Sequence, residues 1–380
     1  MTLPTDIGER LDALLAGSTF TVEPRQHHAA LLALLRDELT YAASRNVALR
    51  NYFGAWPIEF REAETIADLP YLPVGVFKAN PPLSLVPRDT VTKTLASSAT
   101  TGQIPSRVVL NAETSRRMTK GVLAIIRSFI GPARRPYLVV DTPESLAGDP
   151  ELGARSAAIQ GLRPFSSEIV CCLRKQEAGE LALDEAKLFE FARRHPECEV
   201  LVYGFTHILW QQFAVPLRAR GICLDMPNVR VLHSGGWKRL EAQAVTRAAF
   251  AEGVAAVFGC DESRVIDFYG MVENVGVIYP DCEYGNKHVP AFGEVIIRDP
   301  LTLAPVKVGE QGLIQICSVL PSSFPGFLVL TDDIGRVVHE DGCACGRRGT
   351  AFRFEKRAPK AEIRGCGAVD SAREGLLVAA

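Results

Sequence analysis

The sequence predicts an α/β protein with mixed, largely parallel sheets flanked by helices, followed by a smaller β-rich lobe. Three observations predict it. Strand-like and helix-like stretches alternate from Thr92 to Gly270, which argues for parallel pairing. After Gly276 the strands follow one another with turn signals and no helices between them. The 380 residues, 47% of them hydrophobic, suffice for a large core and more than one packed lobe.

Residues 23–50 carry apolar side chains at helical spacing, so one long amphipathic helix is expected there, with His27 and His28 solvated at its start. "LPYLPVGVFKANPPLSLVP" reads as a connector, because each proline bars helix and removes a ladder donor. "TKTLASS" is a strand entering a loop, and "NAETSRRMTKGVLAIIRSFI" a helix capped by Asn111. Strands "PYLVVDT", "CEVLVYGF", "VRVLHSGG" and "RVIDFYG" follow, with helices "HILWQQFAVPLRARG" and "AVTRAAFAEGVAAVFG" among them. The β-rich lobe holds "GEVIIRD", "GLIQICSV" and "FLVLTDDIGRVV". These stretches divide the chain into an N-terminal helical segment (1–64), an α/β core (65–276), a β-rich lobe (277–365) and a short tail (366–380).

A formal net charge of −2 argues against a disordered chain and against a generic polyanion binder, so no nucleic-acid partner is expected. No apolar run reaches the roughly 18 residues of a spanning helix, and the N-terminus lacks the basic start of a signal peptide. A soluble cytoplasmic protein without a membrane span is the expectation. The ten cysteines are too sparse for a disulfide framework. Cys171, Cys172, Cys198, Cys223, Cys260 and Cys317 lie in apolar stretches and read as inert core thiols, whereas Cys282, Cys343, Cys345 and Cys366 lie in polar, glycine-rich ones.

The loop "SSATTGQIPSR" sets hydroxyls and a glycine directly after a strand, which suits a phosphate cradle. It is neither a Walker A sequence nor a dinucleotide fingerprint. "SSATTG" resembles the Ser-Gly-Thr-Thr-Gly loop of the adenylate-forming superfamily, "FYGMVEN" its Tyr-Gly-Met-Thr-Glu signature, and "LTDDIG" its Thr-Gly-Asp ribose-binding turn. "YLPVGVFK", "LHSGGWKRL", "CACGRRGTAF" and "PKAEIRGCG" together resemble the acyl-protein synthetases of the LuxE type, which activate fatty acids for bacterial bioluminescence reductase complexes. The resemblance covers roughly residues 65 to 370.

That resemblance implies an adenylate-forming fold and a two-step reaction. A carboxylate, a fatty acid in this family, attacks the α-phosphate of ATP, and the acyl group then passes to a thiol. Ser97, Ser98, Thr100, Thr101 and Gly102 would hold the terminal phosphates, and Glu273 would hold Mg²⁺. Gly235 and Gly236 would let adenine lie against backbone, with Tyr269 stacking and Gly270 beside it; Tyr269 is otherwise a core residue. Asp333 would accept the ribose hydroxyls, with Asp332 as the alternative, and Arg357 would reach the same sugar. Phe205 and His207 would lie near the substrate carboxylate, or serve the core.

Departures from the superfamily pattern are Ala99 in place of the loop glycine and Val272 in place of the threonine. The sequence ends 15 residues after Gly365, so the mobile C-terminal domain that usually brings a catalytic lysine is expected to be mostly absent. Lys238 is the candidate for that positive charge. Cys366, in "RGCG", aligns with the cysteine that accepts the acyl group in the LuxE type. Hand-over would be to a partner such as a reductase. The alternatives are delivery to coenzyme A or a carrier-protein thiol, and a non-catalytic nucleotide-binding relative. Finally, "PDCEYGNKHVP" and "DGCACG" put Cys282, His288, Cys343 and Cys345 on two turns, a donor set for a structural zinc, with His339 in reserve. Similar pairs occur in the phenylacetate-CoA ligase relatives.

Overall fold

The computed structural model describes residues 4–20, 24–97, 104–147, 153–177, 179–237 and 243–358. Two compact units emerge, one of residues 1–99, 103–126 and 270–380, the other of residues 100–102 and 127–269. The N-terminal helices therefore share a unit with the late strands. Backbone bonds explain why: the Ala291 N–H donates to Thr19 O (2.9 Å) and the Arg348 N–H to Phe20 O (2.8 Å).

In the first unit, helices Thr5–Ala16, Pro24–Arg45 and Val47–Gly54 lead the chain. The single helix expected over 23–50 is broken at Asn46, which sits at φ −138° and accepts the Leu49 N–H at 3.0 Å. An asparagine that offers its own oxygen to the next turn competes with helix continuation, and the cap wins here. Helix Ala112–Ile130 starts as expected, with Asn111 Oδ1 accepting from Thr114 N at 2.9 Å. Within it Gly121 permits a close approach. A Cβ there would lie 2.7 Å from both Gly276 O and Leu320 Cδ1.

This helix brings a charged group into the core. Arg117 is 1% exposed and bonds Glu113 at 2.7 Å, while Glu38, also 1% exposed, has no hydrogen-bond partner for either carboxyl oxygen among the described residues. Burial pushes the Glu38 carboxyl well above the ordinary range; Arg117 opposes the shift and Asp37 adds to it. A raised folded pKa means that the charge costs stability once pH exceeds the unfolded value of about 4.3, and increasingly so until the folded value is passed. Glu38→Gln is therefore expected to raise the urea midpoint at pH 7 and to leave it unchanged near pH 4. A midpoint at pH 7 equal to or below that of the parent protein contradicts this.

The unit's main sheet runs in the order Lys287–His288, Ala351–Arg357, Leu328–His339, Gly312–Ser318, Gly293–Arg298, all neighbours antiparallel. Leu72–Pro73 adds a short parallel pairing onto Leu328–His339, with Leu72 opposite Val329 and Pro73 opposite Leu330. The next turn is anchored by Phe77, edge-on to Phe324 at 6.2 Å, a pair worth about 0.5–1.5 kcal/mol beyond its buried area. A separate hairpin, Val91–Ala96 with Arg107–Asn111, carries the hydroxyl-rich loop.

The second unit contains five parallel strands in the order Val265–Tyr269, Val229–Ser234, Val200–Phe205, Arg135–Val139, Ser166–Cys171. Every residue of Val200–Phe205 is buried, the continuous apolar run that a parallel strand covered on both faces requires. The helical run 206–219 contains a π-turn at Leu209–Ala214, just before Pro216, which lacks the N–H that an α-helix would use. Cys171, Cys172 and Cys317 are buried, and burial pushes the Cys171 thiol up to about 11, as inert core thiols require. Cys198 and Cys223 depart from that expectation and are exposed, because each precedes its strand or paired segment instead of lying within it. No described helix is long and apolar enough to cross a membrane.

Candidate active site

The neck of the hydroxyl-rich loop is closed by two bonds. Ser97 N–H donates to Ser106 O at 2.9 Å, and Ser106 N–H donates to Ser97 Oγ at 3.0 Å. Ser97 thus uses its hydroxyl oxygen to set the loop's base. Ser98, Thr100, Thr101 and Gly102 lie outside the described residues. The Ser106 side chain is buried and hydrogen-bonds the carboxylate of Glu273.

Glu273 occupies a short 3₁₀ turn, Val272–Asn274, and is 4% exposed. Its neighbour Asn274 bonds Tyr279 Oη at 3.1 Å, and Gly326 lets a second loop approach, since a Cβ there would lie 2.5 Å from Glu273 O. Burial raises the Glu273 pKa; Ser106 opposes the rise, Asp333 adds to it and Arg357 opposes it. Asp333 is 6% exposed, and its N–H donates to Thr331 Oγ1 at 3.1 Å. Strand pairing sets Asp333 opposite Arg357, whose Nε lies 3.4 Å from Asp333 Oδ1. Burial likewise raises Asp332, with Lys78 opposing the rise. Two buried carboxylates within each other's field, partly offset by one exposed guanidinium, form a site with an appetite for a cation.

In the second unit, residues at the C-terminal ends of the parallel strands converge, the edge at which open α/β sheets take their ligands. Gly235 (φ +87°) and Gly236 (φ +57°) form a turn that other residues rarely adopt, and a Cβ on Gly235 would stand 3.2 Å from the Phe205 ring. Thr206 Oγ1 donates to Ser234 O (3.1 Å) and pairs with His233 Nδ1 (3.0 Å), which fixes the strand end leading into that turn. Phe205 is buried, and the rings of Phe205 and His207 lie 6.2 Å apart. Tyr269, half-buried, ends the strand Val265–Tyr269, and Gly270 follows it in the first unit. Lys238 lies outside the described residues, as does Cys366.

The cysteines and histidine expected to form a cluster do so. The ligand atoms of Cys282, His288, Cys343 and Cys345 all lie within 4.8 Å of one another. Cys282 Sγ is 4.0 Å from Cys343 Sγ, and Cys345 Sγ is 3.2 Å from His288 Nε2. A tight hairpin makes this possible, with Cys282 N–H donating to Asn286 O (2.9 Å) around Gly285. Burial pushes His288 down to about 4 and Cys282 up to about 12, whereas hydrogen bonds from the Cys345 backbone, Asn286 and neighbouring thiols outweigh burial at Cys343 and lower it. Zn–S bonds of about 2.3 Å place tetrahedral sulfurs about 3.8 Å apart, which these positions fit closely. His339, the reserve ligand, ends its strand opposite Ala351 and is not among the four.

A profile described as acyl-protein synthetase, LuxE, matches residues 10–374. The chain belongs to the LuxE acyl-protein synthetase family. Similar curated relatives are the long-chain-fatty-acid–luciferin-component ligases of Vibrio harveyi (31% identical over 140 residues, 37% of this chain and 36% of the relative) and Aliivibrio fischeri (34% over 111 residues, 29% of each). The matched stretch spans about a third of either relative's length. Among solved structures, 2-hydroxyisobutyryl-CoA ligase with 2-HIB-AMP and CoA superposes with a TM-score of 0.68 at 14% identity, over 90% of this chain and 70% of that one. Its postadenylation state gives 0.67 at 15% identity, over 89% and 69%. The expected adenylate-forming fold is the observed one. Within this LuxE-family chain, sequence reasoning did not reach Ser106 or Thr206. A lone serine or threonine carries no periodic signal, and only hairpin register and strand order give each its partner.

Proposed function

We propose that this LuxE-family chain is an ATP-dependent ligase that converts a fatty acid to its acyl-adenylate and passes the acyl group to its own Cys366, for hand-over to a reductase. The observation that carries this reading is buried Glu273, hydrogen-bonded by Ser106 at the closed neck of the hydroxyl-rich loop and within the field of the Asp333–Arg357 pair. The family match and the ligase activity for which the relatives are named support it.

In this reading Asp333 accepts the ribose hydroxyls, and Arg357, exposed beside it, steers the polyanion. Gly235 and Gly236 offer a flat backbone to adenine, with Tyr269 and Gly270 at its edge, while Phe205 and His207 face the acid. Ser97 and Ser106 set the base of the loop, whose residues Ser98, Thr100, Thr101 and Gly102 bind phosphate oxygens. Glu273 would hold Mg²⁺, which when bound neutralises charge on the phosphates. Lys238 adds positive charge. Cys366 receives the acyl carbon as AMP leaves. Zinc held by Cys282, His288, Cys343 and Cys345 would be structural, since all four positions are filled by protein. The cytoplasm, which supplies ATP and keeps thiols reduced, suits this chemistry.

Incubation with ATP, Mg²⁺ and a radiolabelled long-chain fatty acid tests the transfer. Label should become covalently attached to the protein and be released by neutral hydroxylamine, and Cys366→Ser should abolish the labelling while leaving acyl-adenylate formation intact. Labelling that persists in Cys366→Ser, or thioester formed only on added coenzyme A, contradicts the assignment of the acceptor.

A further inference from the structure

The strand that carries Asp333 changes partners along one edge. Leu330 is the last residue opposite Leu72–Pro73, and Asp333 the first opposite Arg357. Thr331 and Asp332 fill the gap. Thr331 turns inward, its hydroxyl donating to Ile314 O at 2.7 Å, and Asp332 O accepts the Ala358 N–H at 2.8 Å. The chain leaving Pro73 runs straight into the turn Val74–Lys78, pinned by buried Phe77 against Phe324. Lys78 therefore emerges beside this gap, and its charge is felt at Asp332. Its side chain is exposed and makes no hydrogen bond or ion pair among the described residues. A flexible, exposed cation thus stands within the field of Asp332, the residue that precedes the aspartate assigned to the ribose.

We propose that Lys78 is a catalytic cation of the adenylation step and places its ammonium on the α-phosphate of the bound nucleotide. The inference rests on Asp333 holding the ribose. From there the α-phosphate is only the 5′ carbon and oxygen away, within the about 6 Å reach of a lysine, whereas the terminal phosphates lie farther off. In the step, one carboxylate oxygen forms a bond to the α-phosphorus as the α–β bridging P–O bond breaks, and the electron pair leaves on pyrophosphate. The incoming carboxylate and the non-bridging oxygens repel each other, and an ammonium between them lowers that repulsion most in the transition state. Lysine suits the task because its stem can follow the phosphorus as the geometry changes.

The competing explanation is that Lys78 merely balances Asp332. Acid-dependent ATP–pyrophosphate exchange, with MgATP affinity measured separately by calorimetry, tells them apart. Lys78→Met is expected to lower the exchange kcat about 100-fold while MgATP affinity changes less than about threefold. Lys78→Arg should recover part of the loss, and the double variant Lys78→Met with Asp332→Asn should stay as slow as Lys78→Met. Full exchange in Lys78→Met, or recovery in the double variant, overturns the proposal. Lys78→Gln provides a second neutral variant should the methionine protein fail to fold. If the parent protein shows no exchange, the reading of the whole site falls and takes this inference with it; if only the variants behave otherwise than expected, the site stands and Lys78 is a charge-balancing residue.

Discussion

Glu273→Ala is expected to lower acid-dependent ATP–pyrophosphate exchange about 10³-fold, with the loss falling on kcat more than on KM. Glu273 is 4% exposed and its carboxylate is aimed by the Ser106 hydroxyl, so alanine removes a charge that the fold has taken trouble to place. Burial and the field of Asp333 push the carboxyl up, so its ionised form is costly unless a cation sits nearby. A residue kept for stability alone would not be held in that state. Glu273→Gln preserves shape and the Ser106 contact but not the charge. It should show nearly the same loss as alanine, with a melting temperature at least equal to the parent's. Exchange within about threefold of the parent in both variants contradicts the assignment.

The second large effect concerns the Cys282, His288, Cys343 and Cys345 cluster. The protein as isolated is expected to carry one zinc per chain by plasma mass spectrometry, and chelation should lower its melting temperature by more than about 10 °C. His288, pushed down to about 4, is neutral at pH 7 and ready to ligate, and Cys343 is already shifted toward the thiolate. Cys282, pushed up to about 12, needs a cation to ionise. Binding therefore releases protons, and metal should be lost as pH falls below about 5. The cluster also anchors the N-terminus: the His288 ring meets Phe20 edge-on at 6.3 Å, and Phe20 O accepts the Arg348 N–H. Chelation should accordingly expose the 16–20 segment to protease. Metal-free protein of unchanged stability contradicts a structural metal.

Much of this molecule is legible in its sequence. Parallel strands such as Val200–Phe205 are buried on both faces, so they stand out as apolar runs, and Asn111 announces the helix that it caps. The cysteine cluster was legible too, because both pairs lie on turns with short spacing. What escaped depends on partners far away in sequence. Leu72–Pro73 is a strand only because Val329–Leu330 runs beside it, and Lys78 gains its place from that pairing. Ser106 acquires a role through hairpin register and the 3₁₀ turn at Glu273. Asn46 was misread because apolar spacing continues across it while its side chain caps the next helix. Local pattern reports which faces are apolar; it does not report which strand ends meet.

The most direct test of the central claim, that Glu273 and Asp333 organise a nucleotide for attack by a carboxylic acid, is the transfer of labelled pyrophosphate into ATP by the purified parent protein across a series of fatty acids. The account predicts exchange that requires Mg²⁺, appears only when an acid is present, and varies with chain length. Absence of exchange with every acid, from protein that is folded, contradicts it.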